Sequence, residues 1–298
     1  MFTKAQITFI ISGFIFSLAF AAKAQQTETL TASIPSLVEP QKAFSISLFS
    51  LGGFSDKQFR EADPSMDFFD NYISFNYKIS RDLKISARPA FGYSTAGKNI
   101  FGQEVTDKIR ARDFSLVAKI SNIFENFLPA EIDLSNSFRL YFPTSDLSRD
   151  MGLIARLRYE LEGKYNFNKI SSFRYYAKPS YYFQRSTTYF DNSNPKSPNS
   201  VKTTNKIDLE HGGEFSFEMN KYFAVKPGFE IQEKWSNSSE DKKKPELHTS
   251  IVRSALGFEV RANRDINFTI GIQDSRDLIA TSKAPETGYT LMTNITMF

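Results

Sequence analysis

Along residues 71–94, NYISFNYKISRDLKISARPAFGYS, apolar side chains fall at every second position. Ile73, Phe75, Tyr77 and Ile79 alternate with Ser74, Asn76 and Lys78. Beyond Arg81-Asp82, Leu83, Ile85, Ala87, Pro89, Phe91 and Tyr93 alternate with Lys84, Ser86 and Arg88. A period of two belongs to extended chain, whose successive side chains point to opposite faces. The stretch therefore predicts two antiparallel strands, each with one apolar and one polar face, joined by a tight turn. Residues 151–167 repeat the pattern. Leu153, Ala155, Leu157, Tyr159, Leu161 and Tyr165 oppose Ile154, Arg156, Arg158, Glu160, Glu162 and Lys164. In 205–220, Ile207, Leu209, Phe215, Phe217 and Met219 oppose Asp208, Glu210, Glu214 and Glu218.

Extended over the chain, the alternation predicts strands at about 43–54, 68–80, 83–95, 109–122, 127–142, 151–166, 172–190, 203–219, 222–236, 246–262, 266–276 and 287–298. Their connections alternate in length. Short ones fall at Arg81-Asp82, Glu125, Asn168-Lys169, Asn220-Lys221 and Arg264-Asp265. Long polar ones fall at 55–66, 96–107, 143–150, 191–202, 237–245 and 277–286. An even number of long two-faced strands, with short turns on one side and long loops on the other, fits an up-and-down transmembrane β-barrel. Lipid accounts for the apolar face and a hydrated lumen for the polar one. Closing the sheet satisfies every backbone group. A β-sandwich would bury the apolar face against a second sheet, but its strands average roughly five or six residues, well short of these. The expected fold class is all-β: an antiparallel up-and-down barrel of about twelve strands.

The start of the chain reads differently. A basic MFTK, an apolar run and Ala22-Lys23-Ala24 form a secretory signal peptide over 1–24. A short periplasmic tail at 25–42 and a barrel at 43–298 complete the expected organisation. Removing Lys4 and Lys23 lowers the formal net charge from +4 to +2, which argues against a nucleic-acid partner. With no cysteine, there is neither a disulfide framework nor thiol chemistry. Two separated histidines, His211 and His248, support no metal site and no cofactor.

Together, the signal peptide, the alternation, the turn pattern and the last residue, Phe298, resemble bacterial outer-membrane β-barrel proteins of porin-like type. The resemblance covers nearly all of the chain after the signal peptide. It implies an outer-membrane location with both termini periplasmic, contact with outer-membrane lipid and lipopolysaccharide, and delivery through the barrel-assembly machinery by way of Phe298. One departure is the parity of the final strand. Thr296 and Asn294 stand at alternate positions back from Phe298, while Ile295, Thr293 and Leu291 take the other parity.

The polar face carries charge of both signs. Its predicted lumen-facing residues include Lys84, Arg88, Glu131, Asp133, Arg139, Arg156, Arg158, Glu160, Glu162, Lys164, Arg174, Lys178, Asp208, Glu210, Glu214 and Glu218. Lys226, Glu230, Lys234, Arg253, Glu259 and Arg261 follow. The strand at 203–219 is acidic between basic neighbours. Folding about the turns brings Lys226 level with Glu214 and Arg174 near Glu162. A short repeat, Ala87-Arg88-Pro89, Ala177-Lys178-Pro179 and Val225-Lys226-Pro227, suggests a bulge or bend at each proline, since proline donates no ladder hydrogen bond. The basic residues before them would then form a collar at similar height, and charged rings set pore selectivity. Balancing of those bases by the acidic strand is the competing reading. Aromatic residues cluster near both strand ends, as interfacial girdles do: Tyr141-Phe142, Tyr182-Phe183, Tyr189-Phe190, Trp235 and Tyr289 near the long loops, and Phe124, Phe127, Phe167, Tyr222 and Phe223 near the short turns, while Tyr176 and Tyr182 share the lumen parity, where stacking on a sugar is the lesser reading. Lys242-Lys243-Lys244 lies in a long loop, within reach of anionic lipopolysaccharide or simply solvated.

An enzymatic reading rests on His248-Thr249-Ser250, which has the His-x-Ser spacing of an outer-membrane phospholipase. Ile251-Val252-Arg253 follows in place of that family's Asn-Gly stretch, and the nearest downstream asparagine, Asn263, lies at the far end of the strand. The expected function is therefore non-enzymatic: passive diffusion of small hydrophilic or charged solutes through a narrow, mixed-charge lumen. The alternative is a non-conducting barrel acting through its outer loops.

Overall fold

The computed structural model describes residues 43–60, 64–99, 103–121, 132–191, 200–237, 248–263, 265–279 and 286–297. The expected signal peptide and tail, Phe124, Glu125, Phe127, Glu131, Lys242–Lys244 and Phe298 lie outside them.

Twelve antiparallel strands form one sheet: β1 (Phe44–Ser55), β2 (Asp67–Lys78), β3 (Leu83–Arg88, continuing as Ala90–Ser94), β4 (Lys108–Ala111, continuing as Phe114–Ile120), β5 (Ile132–Phe142) and β6 (Leu153–Asn166), then β7 (Ser171–Gln184), β8 (Asn205–Glu218), β9 (Phe223–Ser236), β10 (His248–Arg261), β11 (Ile266–Asp277) and β12 (Glu286–Met297). Each strand pairs with its sequence neighbours, and β1 pairs with both β2 and β12, so the sheet closes on itself. The β1–β12 register sets Ser47 against Thr296 and Phe49 against Asn294. Asn294 and Thr296 thereby share the polar face, and Leu291 and Ile295 the apolar one.

The short turns have a common local cause. Asn168, Asn220 and Asn263 each accept two backbone N–H bonds through Oδ1, from Ile170 and Ser171, from Tyr222 and Phe223, and from Asp265 and Ile266, all at 2.8–3.0 Å. Ser80 plays a similar part with its hydroxyl, which accepts from the Leu83 N–H at 3.1 Å. Short polar side chains that bond the backbone two or three residues on are the chemistry of such turns. The long connections contain helices α1 (Asp56–Phe59) and α2 (Asp146–Asp150). They also hold a hairpin of Thr188–Asp191 with Ser200–Thr203. The strand expected at 172–190 is thus two elements. β7 ends at Gln184, and the hairpin begins after a break at Arg185–Thr187 that keeps the alternation going.

The proline repeat behaves unevenly. Opposite Pro89 the register between β3 and β4 shifts by one, because Arg88 faces Ser115 whereas Phe91 faces Ala111. On one side of Pro179 and of Pro227 the ladder skips two pairs and resumes in unchanged register, while on the other side it runs unbroken. Those two prolines interrupt a ladder without adding a residue, so of the expected bulge or bend the bulge is absent there.

Burial is inverted relative to a water-soluble protein. Ser74, Ser86, Ser115, Ser137, Asn76, Asp208 and Glu259 are among the buried residues. Phe75, Ile85, Leu161, Phe215, Phe258 and Ile270 are exposed. The apolar residues form the outer face of a closed wall and the polar ones the interior. Such a surface suits hydrocarbon outside and polar surroundings inside.

Candidate functional site

Cross-strand register sorts the interior side chains into rows. One row runs Arg88, Ser115, Tyr141, Arg156, Tyr182 across β3 to β7. The next runs Ser86, Val117, Arg139, Arg158, Ser180, Asp208, Lys234 from β3 to β9. Below it come Lys84, Lys119, Ser137 and Glu160. The first of these rows contains two arginines and no acid.

Arginine geometry in these rows is tightly set. The Arg156 guanidinium carbon lies 3.6 Å from the Tyr141 ring centroid, and its Nη1 donates to the Tyr182 hydroxyl at 3.3 Å. Arg139 donates to the Tyr141 hydroxyl at 3.1 Å and is 3.2 Å from Glu160. Arg158 donates to Ser180 at 3.0 Å and lies 3.8 Å from Glu210. Arg88 donates to Ser74 at 3.2 Å and stands over the Tyr72 ring at 4.8 Å. Among the described residues, no ion pair reaches Arg88, Arg156, Lys84 or Lys119, and the Nε atoms of Arg139 and Arg156 are buried without a hydrogen-bond partner.

The wall from β6 to β10 is ion-paired. Arg174 bridges Glu162 and Glu214, at 3.3 Å each. Lys178 binds Glu210, and Lys226 binds Glu259 with Glu214 at 3.9 Å. Arg253 reaches Glu230 at 2.5 Å, and Arg261 joins Glu218 to Glu259. Tyr176 crosses over Gly212 to donate to Glu230 at 2.9 Å. Asp208 accepts from Gln232 at 3.4 Å. The wall of β11, β12 and β1 carries fewer charges by contrast: Gly271, Gln273, Gly288, Thr290, Asn294, Gly53 and Ser47 lie there with the larger Met292, Leu51 and Phe49.

The three bases of the repeat therefore differ in surroundings. Lys178 and Lys226 are held by glutamates, and Arg88 is not. The described residues selected from sequence share the polar face, but the collar is not a uniform ring. Tyr141 and Tyr182 fit the outer girdle by their place near the long loops, whereas both lie inside, Tyr141 among three arginines and Tyr182 against Arg156. Sequence reasoning also passed over Lys119, whose parity against Leu116, Ala118 and Ile120 marks it as interior.

The two histidines lie on the outer face. His248 stacks on Trp235, centroids 4.9 Å apart and planes 7° from parallel, and its Nε2 is 3.8 Å from Glu233. No hydrogen bond joins it to Ser250 among the described residues. His211 Nδ1 is 2.9 Å from the Tyr175 hydroxyl, in a ladder with no register shift. Neither environment contains the Ser–His contact that a hydrolase needs.

No protein-family model matches the chain, and no curated protein matches it in sequence. Solved structures do resemble it. An outer membrane channel from Pseudomonas putida F1 is similar over 87% of this chain and 100% of its own, with a TM-score of 0.53 and 11% identity. The NanC porin matches over 83% and 98%, with a TM-score of 0.47 and 10% identity. The KdgM porin matches over 85% and 99%, with a TM-score of 0.45 and 10% identity. At such identities the likeness is one of fold. The chain has the closed barrel fold of porin-like outer-membrane proteins.

Proposed function

We propose that the barrel is an outer-membrane channel for passive diffusion of small hydrophilic solutes, with a preference for anions, and that both termini face the periplasm. The observation that carries this is the uneven pairing of interior charge. Seven glutamates, at 160, 162, 210, 214, 218, 230 and 259, each lie within ion-pair distance of a basic group. Arg88, Arg156, Lys84 and Lys119 have no such acid among the described residues. Unpaired cations on a channel wall attract anions and repel cations. Arg156, Arg158, Arg174, Lys178, Lys226, Glu160, Glu162, Asp208, Glu210, Glu214 and Glu218 line the passage with Arg88. Selection is by size and charge, without covalent chemistry.

The ion-paired wall of β6 to β10 favours a second reading, a non-conducting barrel that acts through its outer loops. Conductance of the refolded chain in a planar bilayer, with the reversal potential under a salt gradient, separates the two. Steady current with a reversal potential displaced toward the anion supports the channel. A folded barrel that passes no current supports the second reading, and a cation-selective current refutes the anion preference.

A further inference from the structure

The row Arg88, Tyr141, Arg156, Tyr182 and the Arg139–Arg158 pair beneath it carry four cations against two acids within ion-pair distance among the described residues, Glu160 and Glu210. We infer that they form a binding site for carboxylate groups in the loop-side half of the lumen, centred on Arg156. This deepens the channel reading and rests on it only in requiring that solutes reach the interior wall.

Three observations converge. First, the site has a donor excess. Arg139 has Glu160 and Arg158 has Glu210, but Arg88 and Arg156 have no acid among the described residues. Second, the orphaned buried groups here are donors. They are Nε of Arg156, Nε of Arg139, and Nε2 of Gln184, which stands two residues past Tyr182 on the same face. A buried donor without an acceptor is unfavourable by about 1–3 kcal/mol, so this part of the wall holds more donors than the protein supplies acceptors for. Third, the guanidinium is held in place beforehand. Tyr141 lies against one side of Arg156 and Tyr182 accepts one of its N–H groups, so little side-chain freedom remains to be lost on binding.

The chemistry of the donors selects the ligand. A planar guanidinium presents parallel N–H groups that match the two oxygens of a carboxylate, and lysine cannot reproduce that fork. Such groups are worth more away from bulk water. The adjacent tyrosine rings supply flat surface for the carbon skeleton of an organic acid. The ligand class is thus a small organic carboxylate. It is held through Arg156, with Arg88, Arg139 and Arg158 adding charge around it.

The test measures binding apart from conduction. The refolded full chain in detergent is titrated calorimetrically with citrate, glucose and inorganic phosphate at low and high salt. Citrate is expected to bind with an affinity that falls as salt rises, and glucose to show no heat. Arg156→Lys keeps the charge and is expected to weaken citrate about tenfold. Tyr182→Phe removes only the hydroxyl that positions Arg156 and is expected to weaken it by a smaller factor. Resistance to unfolding on gels confirms that each variant is folded. Unchanged citrate affinity in folded Arg156→Lys overturns the site, as does absence of citrate binding to the unaltered chain. Tighter, Arg156-dependent binding of phosphate overturns the carboxylate assignment. A barrel that conducts without binding citrate removes the site and leaves the channel standing. One that binds citrate without conducting does the reverse.

Discussion

Arg139 on β5 and Arg158 on β6 are direct cross-strand partners, two cations set face to face on the interior wall. Like charges directly opposite one another destabilise a pairing. The arrangement persists because Glu160 lies 3.2 Å from Arg139 and Glu210 3.8 Å from Arg158, while Tyr141 accepts from Arg139. Three acceptors thus offset one electrostatically unfavourable pair.

Glu160→Gln removes the acid but keeps its shape and leaves Ser137 a polar partner, since Ser137 now donates to Glu160 at 2.9 Å. The expected result is a loss of about 1–3 kcal/mol in stability, from an arginine left beside another without its counter-charge. Urea unfolding in lipid vesicles, followed by the fluorescence of Trp235, the single tryptophan, measures it. High salt should restore part of the loss by screening the Arg139–Arg158 repulsion. A salt-independent loss would point to packing instead.

The outer face is tested by charge placement. Ile270 on β11 points outward, is 59% exposed and lies toward the middle of its strand. Ile270→Arg should destabilise the barrel by about 2–4 kcal/mol in a bilayer, as arginine does on the lipid face near the midplane. Met219, in the turn after β8, is also exposed, and Met219→Arg should have an effect of only about 0–1 kcal/mol there. Equal effects at the two positions would contradict the proposed membrane depth. The comparison uses vesicle-reconstituted protein, since detergent blurs depth.

Gly212 is constrained by space. A Cβ added there would stand 2.2 Å from the Phe229 carbonyl oxygen and 2.9 Å from the Glu230 Cα. Both are backbone atoms of the adjacent strand, and Tyr176 crosses above to reach Glu230. Gly212→Ala should therefore destabilise by roughly 1–3 kcal/mol through overpacking. Gly163, whose added Cβ would meet only Leu134 Cδ1 at 3.6 Å, should accept alanine with little change. Urea midpoints of the two variants give the comparison directly.

The barrel was legible because one period governs both its local and its global structure. The same alternation that defines β6 also assigns Arg156, Arg158, Glu160 and Glu162 to the interior. The turns were legible for a related reason, since Asn168, Asn220 and Asn263 each bond the backbone just beyond them. What parity could not convey was pairing. Arg88, Lys178 and Lys226 share a local Arg/Lys-Pro motif, yet only the register between strands distant in sequence decides which meets a glutamate. Tyr141 was misplaced because an aromatic residue near a strand end fits a girdle as well as an interior stack. Its parity alone distinguishes the two. Of the bulge or bend that each proline suggests, a register shift occurs only opposite Pro89, because a lost N–H donor does not by itself insert a residue, and insertion is what shifts a register.

Conductance and selectivity should be separable, because the interior wall has two unlike sides. Gly257, Gly271, Thr290 and Gly53 form one cross-strand row of small neutral residues, on a different part of the wall from the Arg88–Arg156 row. Side chains are shortest there, so width should depend on it. Gly257→Gln adds bulk without charge, and its Cβ would press only on a Thr269 methyl at 3.1 Å, which can yield by a few tenths of an ångström. Single-channel conductance should fall, with the reversal potential unchanged. Arg156→Gln removes one charge at nearly constant size. A unit charge about 4 Å from a passing ion in water contributes about 1 kcal/mol, attractive for an anion and repulsive for a cation, so the anion-to-cation permeability ratio should fall by up to about thirtyfold, with conductance changed much less. If Gly257→Gln moves the reversal potential as far as Arg156→Gln does, the two sides are not functionally distinct. Anion preference would then be a property of the net charge of the lumen and not of its arginine row.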